Sequence, residues 1–192
     1  PTEYTKELTT IREYLSPIVD ACKTHNTALR IGVNHGSLSD RILARYGDTV
    51  AGMVESAMDF LRILHKMDFH NIVVSMKSSN PRVMVYSTRF LVKKMQDEDL
   101  VYPIHLGITE AGEGEDGRIK STIGIASLLN EGIGDTIRIS LTEDPEFEIP
   151  VAKKIVEFFS DKSKDLPAFD KTVNYWPTFE FEKRVSLPSE NI

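Results

Sequence analysis

The feature that most constrains the fold is a regular alternation of short apolar strands and longer helices. Helical periodicity predicts helices over residues 8–25, 50–67, 81–95, 119–130 and 151–159. Predicted strands lie between them, at residues 28–33, 71–76, 103–108 and 136–141. Strands joined by single helices must run parallel, with right-handed crossovers. The sequence therefore predicts an α/β fold made of parallel β/α units.

The number of β/α units limits how much of a barrel this chain can form. A complete (β/α)8 barrel has eight strands in typically about 250 residues, whereas this chain has 192 residues and four predicted strands. We therefore predict about half of a TIM-like barrel over residues 1–160. The competing architecture is an open doubly wound sheet, but such sheets usually carry a glycine-rich phosphate loop, and no loop with that spacing is present.

The pattern changes after residue 160. Residues 161–192 mix charges and prolines with Tyr175, Trp176, Phe179 and Phe181. We interpret this tail as a separate segment, either the start of an inserted domain or a stretch that packs on the barrel.

Composition excludes several classes of partner and site. The formal net charge of −6 argues against a nucleic-acid partner, because such proteins present basic surfaces to phosphates. No apolar run is long enough to span a bilayer. The single cysteine, Cys22, which we expect to be a buried small hydrophobe, cannot form an internal disulfide. The lack of a disulfide framework favours a cytoplasmic location. The five histidines show no metal-ligand spacing, so no metal site is predicted.

Polar residues alternate with apolar ones inside the strands. The residues that share the polar face are Arg30, Gly32 and Asn34, then Ser75, Lys77 and Ser79, and then Arg138 and Ser140. One reading is an antiparallel sheet with a single wet face. Because intervening helices require parallel strands covered on the outside, we instead expect the apolar set to face the helices and the polar set to face the barrel axis.

Three cations would then converge near the carboxyl ends of the strands, where barrel enzymes place their active sites. Arg30, Lys77 and Arg138 would repel one another unless an anion lay between them. A phosphate or diphosphate would relieve that repulsion, because arginine offers forked donors and lysine a compact charge. The neutral donors available at the same end are Asn34, Ser75, Ser79 and Ser140.

Other polar residues near the strand ends admit two readings each. Glu110 follows the third strand and is either a general acid or base or an ion-pair partner of the cations. Lys120, which we expect near a helix amino terminus after an acidic glycine-rich loop at residues 113–117, is either an anion ligand or a solvated surface residue. His105 could point inward, and we interpret it as a core histidine with a satisfied hydrogen bond.

Five ordered segments resemble the 4-hydroxy-3-methylbut-2-enyl diphosphate synthase (GcpE) family. They are Arg-Ile-Gly-Val-Asn-His-Gly-Ser-Leu (30–38), Ser-Met-Lys-Ser-Ser (75–79), Gly-Ile-Thr-Glu-Ala-Gly (107–112), Lys-Ser-Thr-Ile-Gly (120–124) and Glu-Gly-Ile-Gly-Asp-Thr-Ile-Arg-Ile-Ser-Leu (131–141). The resemblance runs from about residue 8 to about residue 150.

The resemblance implies a TIM-like barrel joined to a carboxy-terminal domain that carries a 4Fe–4S cluster. The family reductively opens 2-C-methyl-D-erythritol 2,4-cyclodiphosphate in the non-mevalonate (MEP) route of isoprenoid biosynthesis, with electrons from ferredoxin or flavodoxin. Carried over by motif, the diphosphate contacts would be Arg30, Asn34, Lys77, Arg138 and Ser140. Glu110 would be the barrel carboxylate of proton transfer.

The chain also departs from the family pattern. The first four strands of the barrel and the cluster cysteines have no counterpart in it, since a cluster needs about three or four thiolates and only Cys22 is present. We therefore expect no catalysis by this chain alone, and self-association through its open sheet edges. Two rival functions remain open: a Schiff-base, aldolase-like lyase that uses Lys77, and a non-catalytic module that binds phosphate ligands.

Overall fold

The computed structural model describes residues 3–160, which form six α-helices, four strands and one short 3-10 helix. In chain order the elements are α1 (Glu3–Thr24), β1 (Leu29–Asn34), α2 (Asp40–Tyr46), α3 (Val50–Lys66), β2 (Ile72–Lys77), α4 (Pro81–Asp97), β3 (His105–Leu106), α5 (Gly114–Leu129), β4 (Thr136–Ile137), the 3-10 helix (Pro145–Phe147) and α6 (Glu148–Ser160). The tail at residues 161–192, for which we predicted the start of an inserted domain, lies outside the described residues.

All observed strand pairs are parallel, as predicted. β1 pairs with β2 along its whole length, from Leu29 opposite Ile72 to Asn34 opposite Lys77. β3 pairs with β4 over two residues, and a parallel bridge between Val74 and Ile104 joins β2 to the segment that leads into β3. The strands therefore follow one another in chain order, β1-β2-β3-β4, without the reversal that marks a doubly wound sheet. This order is the one expected of consecutive units in a barrel.

The hydrophobic core lies between the strands and the helices. Outward-facing strand residues are buried there, among them Val74 at 0% and Met76 at 1% exposure. α3 packs on β1 and β2, α4 packs on β2 and on α3, and α5 packs on α4. The alternate residues of β1, including Arg30 and Asn34, are exposed on the opposite face. The predicted division between an apolar helix side and a polar axis side is confirmed.

The third and fourth strands are much shorter than predicted. Residues 103–108 and 136–141 were each expected to form a full strand, but the regular ladder covers only His105–Leu106 and Thr136–Ile137. Pro103 has no N–H to donate and only accepts, from the amide of Val74 at 2.9 Å. Beyond the ladder, single bonds continue, such as Arg138 N–H to the carbonyl of Leu106 at 2.8 Å. The chain remains close to its neighbour there without a repeating pattern.

The predicted acidic glycine-rich loop at residues 113–117 is wrong for most of its length. α5 begins at Gly114, so Lys120 lies in the second turn and not at the amino terminus of the helix. Glu115 and Asp116 occupy the first turn, where negative side chains complement the helix dipole. Gly117 is required by packing, because a Cβ there would lie 2.5 Å from the carbonyl oxygen of Gly112.

The remaining helices also differ from expectation at their ends and faces. α1 begins at Glu3 and α6 at Glu148, each several residues early, and the short helix α2 was not predicted. On α1, Ile18 is 47% exposed, whereas Val19 beside it is buried. Cys22 is half-buried at the margin of the core. Among residues 3–160, no helix has the length and apolar character needed to cross a bilayer.

Candidate anion-binding site

The strand register arranges the axis-facing side chains in rows across the sheet. Gly32 lies opposite Ser75, and His105 lies opposite Thr136. Val74 and Ile104 are paired in a parallel bridge. The next residues of the two strands, Ser75 and His105, therefore lie side by side. Gly32, Ser75, His105 and Thr136 therefore form one row, which we call the floor row.

The next row toward the carboxyl ends carries two of the predicted cations. Asn34 lies opposite Lys77, and the same registers place Gly107 between Lys77 and Arg138. Because Gly107 has no side chain, the space between the two cations stays open. We call this the cation row.

A cavity of about 90 Å³ lies over these rows. Its lining residues come from all four strand segments and are Arg30, Ser75, Lys77, His105, Gly107, Ile108, Thr109, Arg138 and Ser140. The structure thus brings together the three predicted cations and two of the predicted serines. The volume exceeds that of a water site and suits a small anion.

The cations around this cavity have no carboxylate to neutralise them. Elsewhere, Arg41, Arg62, Arg89 and Arg118 each pair with an acidic side chain. Within residues 3–160, Arg30, Lys77 and Arg138 make neither an ion pair nor a side-chain hydrogen bond. No carboxylate is among the residues that line the cavity. Like charges held together without a counter-ion favour binding of an anion.

A buried hydroxyl in the cavity also lacks a partner. Ser75 is 1% exposed, and its Oγ forms no hydrogen bond. Most buried polar atoms in proteins are satisfied, so such an atom in a cavity indicates a place for a ligand or water. The hydroxyl of Ser121 is likewise unsatisfied, but it lies on α5 away from the cavity lining.

His105 lines the cavity, although we had interpreted it as a core histidine. The expected hydrogen bond is present, since its Nδ1 lies 2.7 Å from Thr136 Oγ1. Burial lowers the pKa of His105, and the charges of Arg30, Arg138 and Lys77 lower it further. The signal in the sequence was its parity with Gly107 and Thr109 on the same strand.

The family model described as GcpE TIM-barrel domain matches residues 5–153. The chain belongs to the GcpE TIM-barrel family. This GcpE assignment confirms the resemblance and the barrel architecture predicted from the sequence.

Curated relatives of this GcpE barrel chain are named as synthases of 4-hydroxy-3-methylbut-2-en-1-yl diphosphate. A Parabacteroides distasonis protein named 4-hydroxy-3-methylbut-2-en-1-yl diphosphate synthase (flavodoxin) is 52% identical over 190 residues, 99% of this chain and 31% of its own length. A Bacteroides fragilis protein of the same name is 57% identical, over 83% of this chain and 26% of its own. An Arabidopsis thaliana protein named 4-hydroxy-3-methylbut-2-en-1-yl diphosphate synthase (ferredoxin), chloroplastic, is 50% identical over 95% of this chain and 25% of its own length. The chain thus spans about a quarter to a third of these relatives.

Four predicted site residues of the GcpE chain lie outside the cavity lining. Asn34 belongs to the cation row but is exposed on the open side of β1, and Ser79 is exposed in the turn after β2. Lys120 pairs with Asp116 at 2.6 Å on the surface of α5. Glu110 is exposed and makes no ion pair within residues 3–160, so the structure does not show the expected balancing contact with the cations.

The backbone at Glu110 is unusual for a residue with a side chain. Its φ is 52°, in the left-handed region that favours glycine. The preceding Thr109 lines the cavity, and the following Ala111 is 1% exposed. Glu110 therefore lies in a turn between a cavity-lining residue and a buried one. Strained residues of this kind cluster at functional sites.

Proposed function

We propose that this chain is the substrate-binding barrel part of an enzyme that reductively converts 2-C-methyl-D-erythritol 2,4-cyclodiphosphate to 4-hydroxy-3-methylbut-2-enyl diphosphate in isoprenoid biosynthesis. The observation that carries the proposal is the cavity with three cations and no carboxylate. The names of the relatives support the identity of the anion.

In this proposal the cations hold the diphosphate. Arg138 and Arg30 offer planar forks of N–H donors, and Lys77 adds a point charge from the strand between them. Ser75 and Ser140 donate hydroxyl hydrogen bonds from the cavity wall. Asn34 contributes its amide from the open side of β1. The anion relieves the repulsion among cations that have no other partner.

Glu110 is proposed to hold or deliver a proton. The conversion removes water from the substrate, so an oxygen of the substrate must be protonated before it leaves. Glu110 directly follows the cavity-lining Thr109 in the chain, which supports a place near the mouth of the site. Its exposed position suits a group that exchanges protons with solvent and meets the substrate at the mouth of the site.

The 4Fe–4S cluster implied by the family does not fit the residues of this chain. The chain has one cysteine, and residues 3–160 contain no group of three potential metal ligands, whereas a cluster needs about three or four thiolates. We therefore assign no step to it here and place its ligands in the part of the relatives that this chain does not span. Flavodoxin or ferredoxin, which the relatives' names include, is the proposed electron donor, and the cytoplasm the proposed location.

Calorimetric titration with the cyclic diphosphate tests the proposal. We expect the wild-type chain to bind it, with an affinity that falls as salt is added, because charged contacts dominate. Arg138→Ala should weaken binding by roughly tenfold or more, since a hydrogen bond to a charged group contributes about 1.5–3 kcal/mol. No reduction of the ligand is expected from the chain alone.

Arg12→Ala is the matched control, because Arg12 is an exposed arginine of α1 outside the cavity lining. It removes the same charge and should leave the affinity unchanged. Equal losses in the two variants would show a general charge effect and would refute a site on these strands. Absence of binding at millimolar ligand would also count against the proposal.

A further inference from the structure

We infer that His105 contacts the bound anion from the floor row, where Thr136 orients its ring, and that it takes up a proton when the anion binds. This inference rests on the proposed function, and it adds a residue and a proton to that site. The proton comes from solvent and converts the neutral imidazole to imidazolium.

The position of His105 places it against the ligand. It lies next to Ser75 in the floor row, directly below the gap that Gly107 leaves in the cation row. Both His105 and Ser75 line the cavity. An anion seated between Lys77 and Arg138 would therefore meet the imidazole and the unpartnered Ser75 hydroxyl from above.

One nitrogen of the His105 ring has a hydrogen-bond partner within the protein, and the other can contact a ligand. Nδ1 lies 2.7 Å from Thr136 Oγ1, and Nε2 has no partner within residues 3–160. A threonine hydroxyl can either donate or accept. It can therefore serve a neutral ring and, by turning its hydrogen, a protonated one whose Nδ1–H must donate. The pair suits both charge states without a change in ring position.

The charges around His105 explain why its protonation depends on the ligand. Burial lowers the pKa of His105 most, and Arg30 on β1, Arg138 from the segment after β4 and Lys77 on β2 lower it further. No carboxylate among the residues that line the cavity opposes them. An anion reverses this balance, because a negative charge beside a histidine favours its charged form. Thus the His105 pKa is low in the free site and higher in the occupied one.

The sign of the pH effect follows directly. When the pKa is higher in the bound state, binding takes up a proton, and affinity rises as the pH falls from the bound pKa to the free pKa. Each unit by which the anion raises the pKa strengthens binding about tenfold across that window. Above both pKa values the contribution disappears.

Nuclear magnetic resonance of the histidine side chains tests the inference on the 192-residue chain. The His105 resonances are identified by their loss in His105→Gln, and their pKa is measured with and without saturating inorganic pyrophosphate. We expect a rise of the His105 pKa on binding. The resonances of His25, which is exposed in the turn before β1 and outside the cavity lining, should have the same chemical shifts with and without the anion at each pH and serve as an internal reference. Sulfate, whose charge does not change over this range, serves as a second probe. Thr136→Val should reduce the rise, because it removes the hydroxyl that accepts from Nδ1–H.

The outcomes separate the inference from the function on which it rests. Pyrophosphate binding that Arg138→Ala abolishes, with an unchanged His105 pKa, would overturn the role of His105 and leave the anion site standing. An equal rise in Thr136→Val would overturn the orienting role. Failure of pyrophosphate and sulfate to bind at all would overturn both the inference and the anion site.

Discussion

At the residue scale, Gly32 gives the Lys77 side chain the space that it occupies beside β1. A Cβ on Gly32 would lie 3.2 Å from Lys77 Cε and 3.4 Å from Nζ. The first distance is tighter than most contacts of a Cβ atom, and the second is an ordinary contact, so the Lys77 side chain occupies space that a larger residue at position 32 would narrow. A side chain at position 32 would therefore displace the Lys77 charge without disturbing the fold, because the end of a lysine side chain can move.

We therefore predict that Gly32→Ala weakens pyrophosphate binding and leaves stability nearly unchanged. The displaced ammonium loses its best geometry, and we expect roughly tenfold weaker binding if one charged hydrogen bond of about 1.5 kcal/mol is lost. Titration calorimetry measures the affinity, and thermal unfolding measures the stability.

Gly107→Ala is the contrasting variant. A Cβ there would lie 2.9 Å from the backbone oxygen of Arg138, which cannot turn aside as a lysine end can. It should lower both affinity and the free energy of unfolding, the latter by about 1–3 kcal/mol as for other overpacked sites. Identical behaviour of the two variants would contradict the distinction between a movable side chain and a fixed backbone.

Sequence reasoning located the cations because strand parity is strict. Arg30, Lys77 and Arg138 were predicted to converge, and the cavity contains all three. It did not predict that His105 lines the cavity, because the alternation within its strand is the same for a histidine buried in the core. Which residues surround the ring depends on how neighbouring strands are aligned, and the sequence of one strand does not show that alignment.

At the element scale, one buried carboxylate connects the first three helices. Asp59 on α3 pairs with Arg41 of α2 and accepts a hydrogen bond of 2.5 Å from the hydroxyl of Tyr4 on α1. Arg41 and Asp59 are 3% and 4% exposed at their side chains. Burial raises the pKa of Tyr4 to about 12, with the Asp59 contacts adding to the effect. The network fixes α1 and α2 to the outer surface of α3.

We predict that Asp59→Asn destabilises the fold by about 3 kcal/mol, because it removes the buried counter-ion of Arg41 and leaves that guanidinium only the half-exposed Glu7 carboxylate, at 3.5 Å. For a chain of this size the melting temperature should fall by roughly 6–12 °C. Asp20→Asn, at an exposed position of α1, is the control and should change little. A melting temperature within the range of that control would show that the network contributes nothing to stability.

The longer an element is, the more accurately the sequence predicted its position. Long periodic helices such as α3 and α4 were located to within two residues. α2 was missed, because seven residues with a buried arginine show no helical apolar face. The ends of β3 and β4 were missed because strand propensity describes single residues, whereas the ladder depends on the N–H that Pro103 lacks and on close approach at Gly107.

At the scale of the whole molecule, the sheet of the described residues has two open edges. The amides of Leu29 and His35 bond toward β2, so the alternate amides of β1 face away from it. A groove of about 640 Å³ runs along this edge between α1 and β1, with Tyr14 and Phe60 among its lining residues. β4 is the last strand on the other side. Unpaired strand edges are templates for pairing with another chain.

We predict that the isolated chain self-associates, with strands of one copy pairing along the edges of another. Sedimentation velocity across micromolar concentrations should show a mass that grows with concentration. A single species with the mass of one chain at every concentration would contradict this expectation.

In the proposed complex the anion would also stabilise the sheet, because the β3–β4 ladder is short. The regular ladder between β3 and β4 has two residue pairs, and the guanidinium of Arg138, which follows them, is repelled by the cations across the sheet. An anion that contacts both Lys77 and Arg138 would connect β2 to the segment after β4, across β3. Occupancy then adds RT ln(1 + [L]/Kd) to the free energy of unfolding. In the proposed complex, the bound anion would thus stabilise the last strand of this sheet.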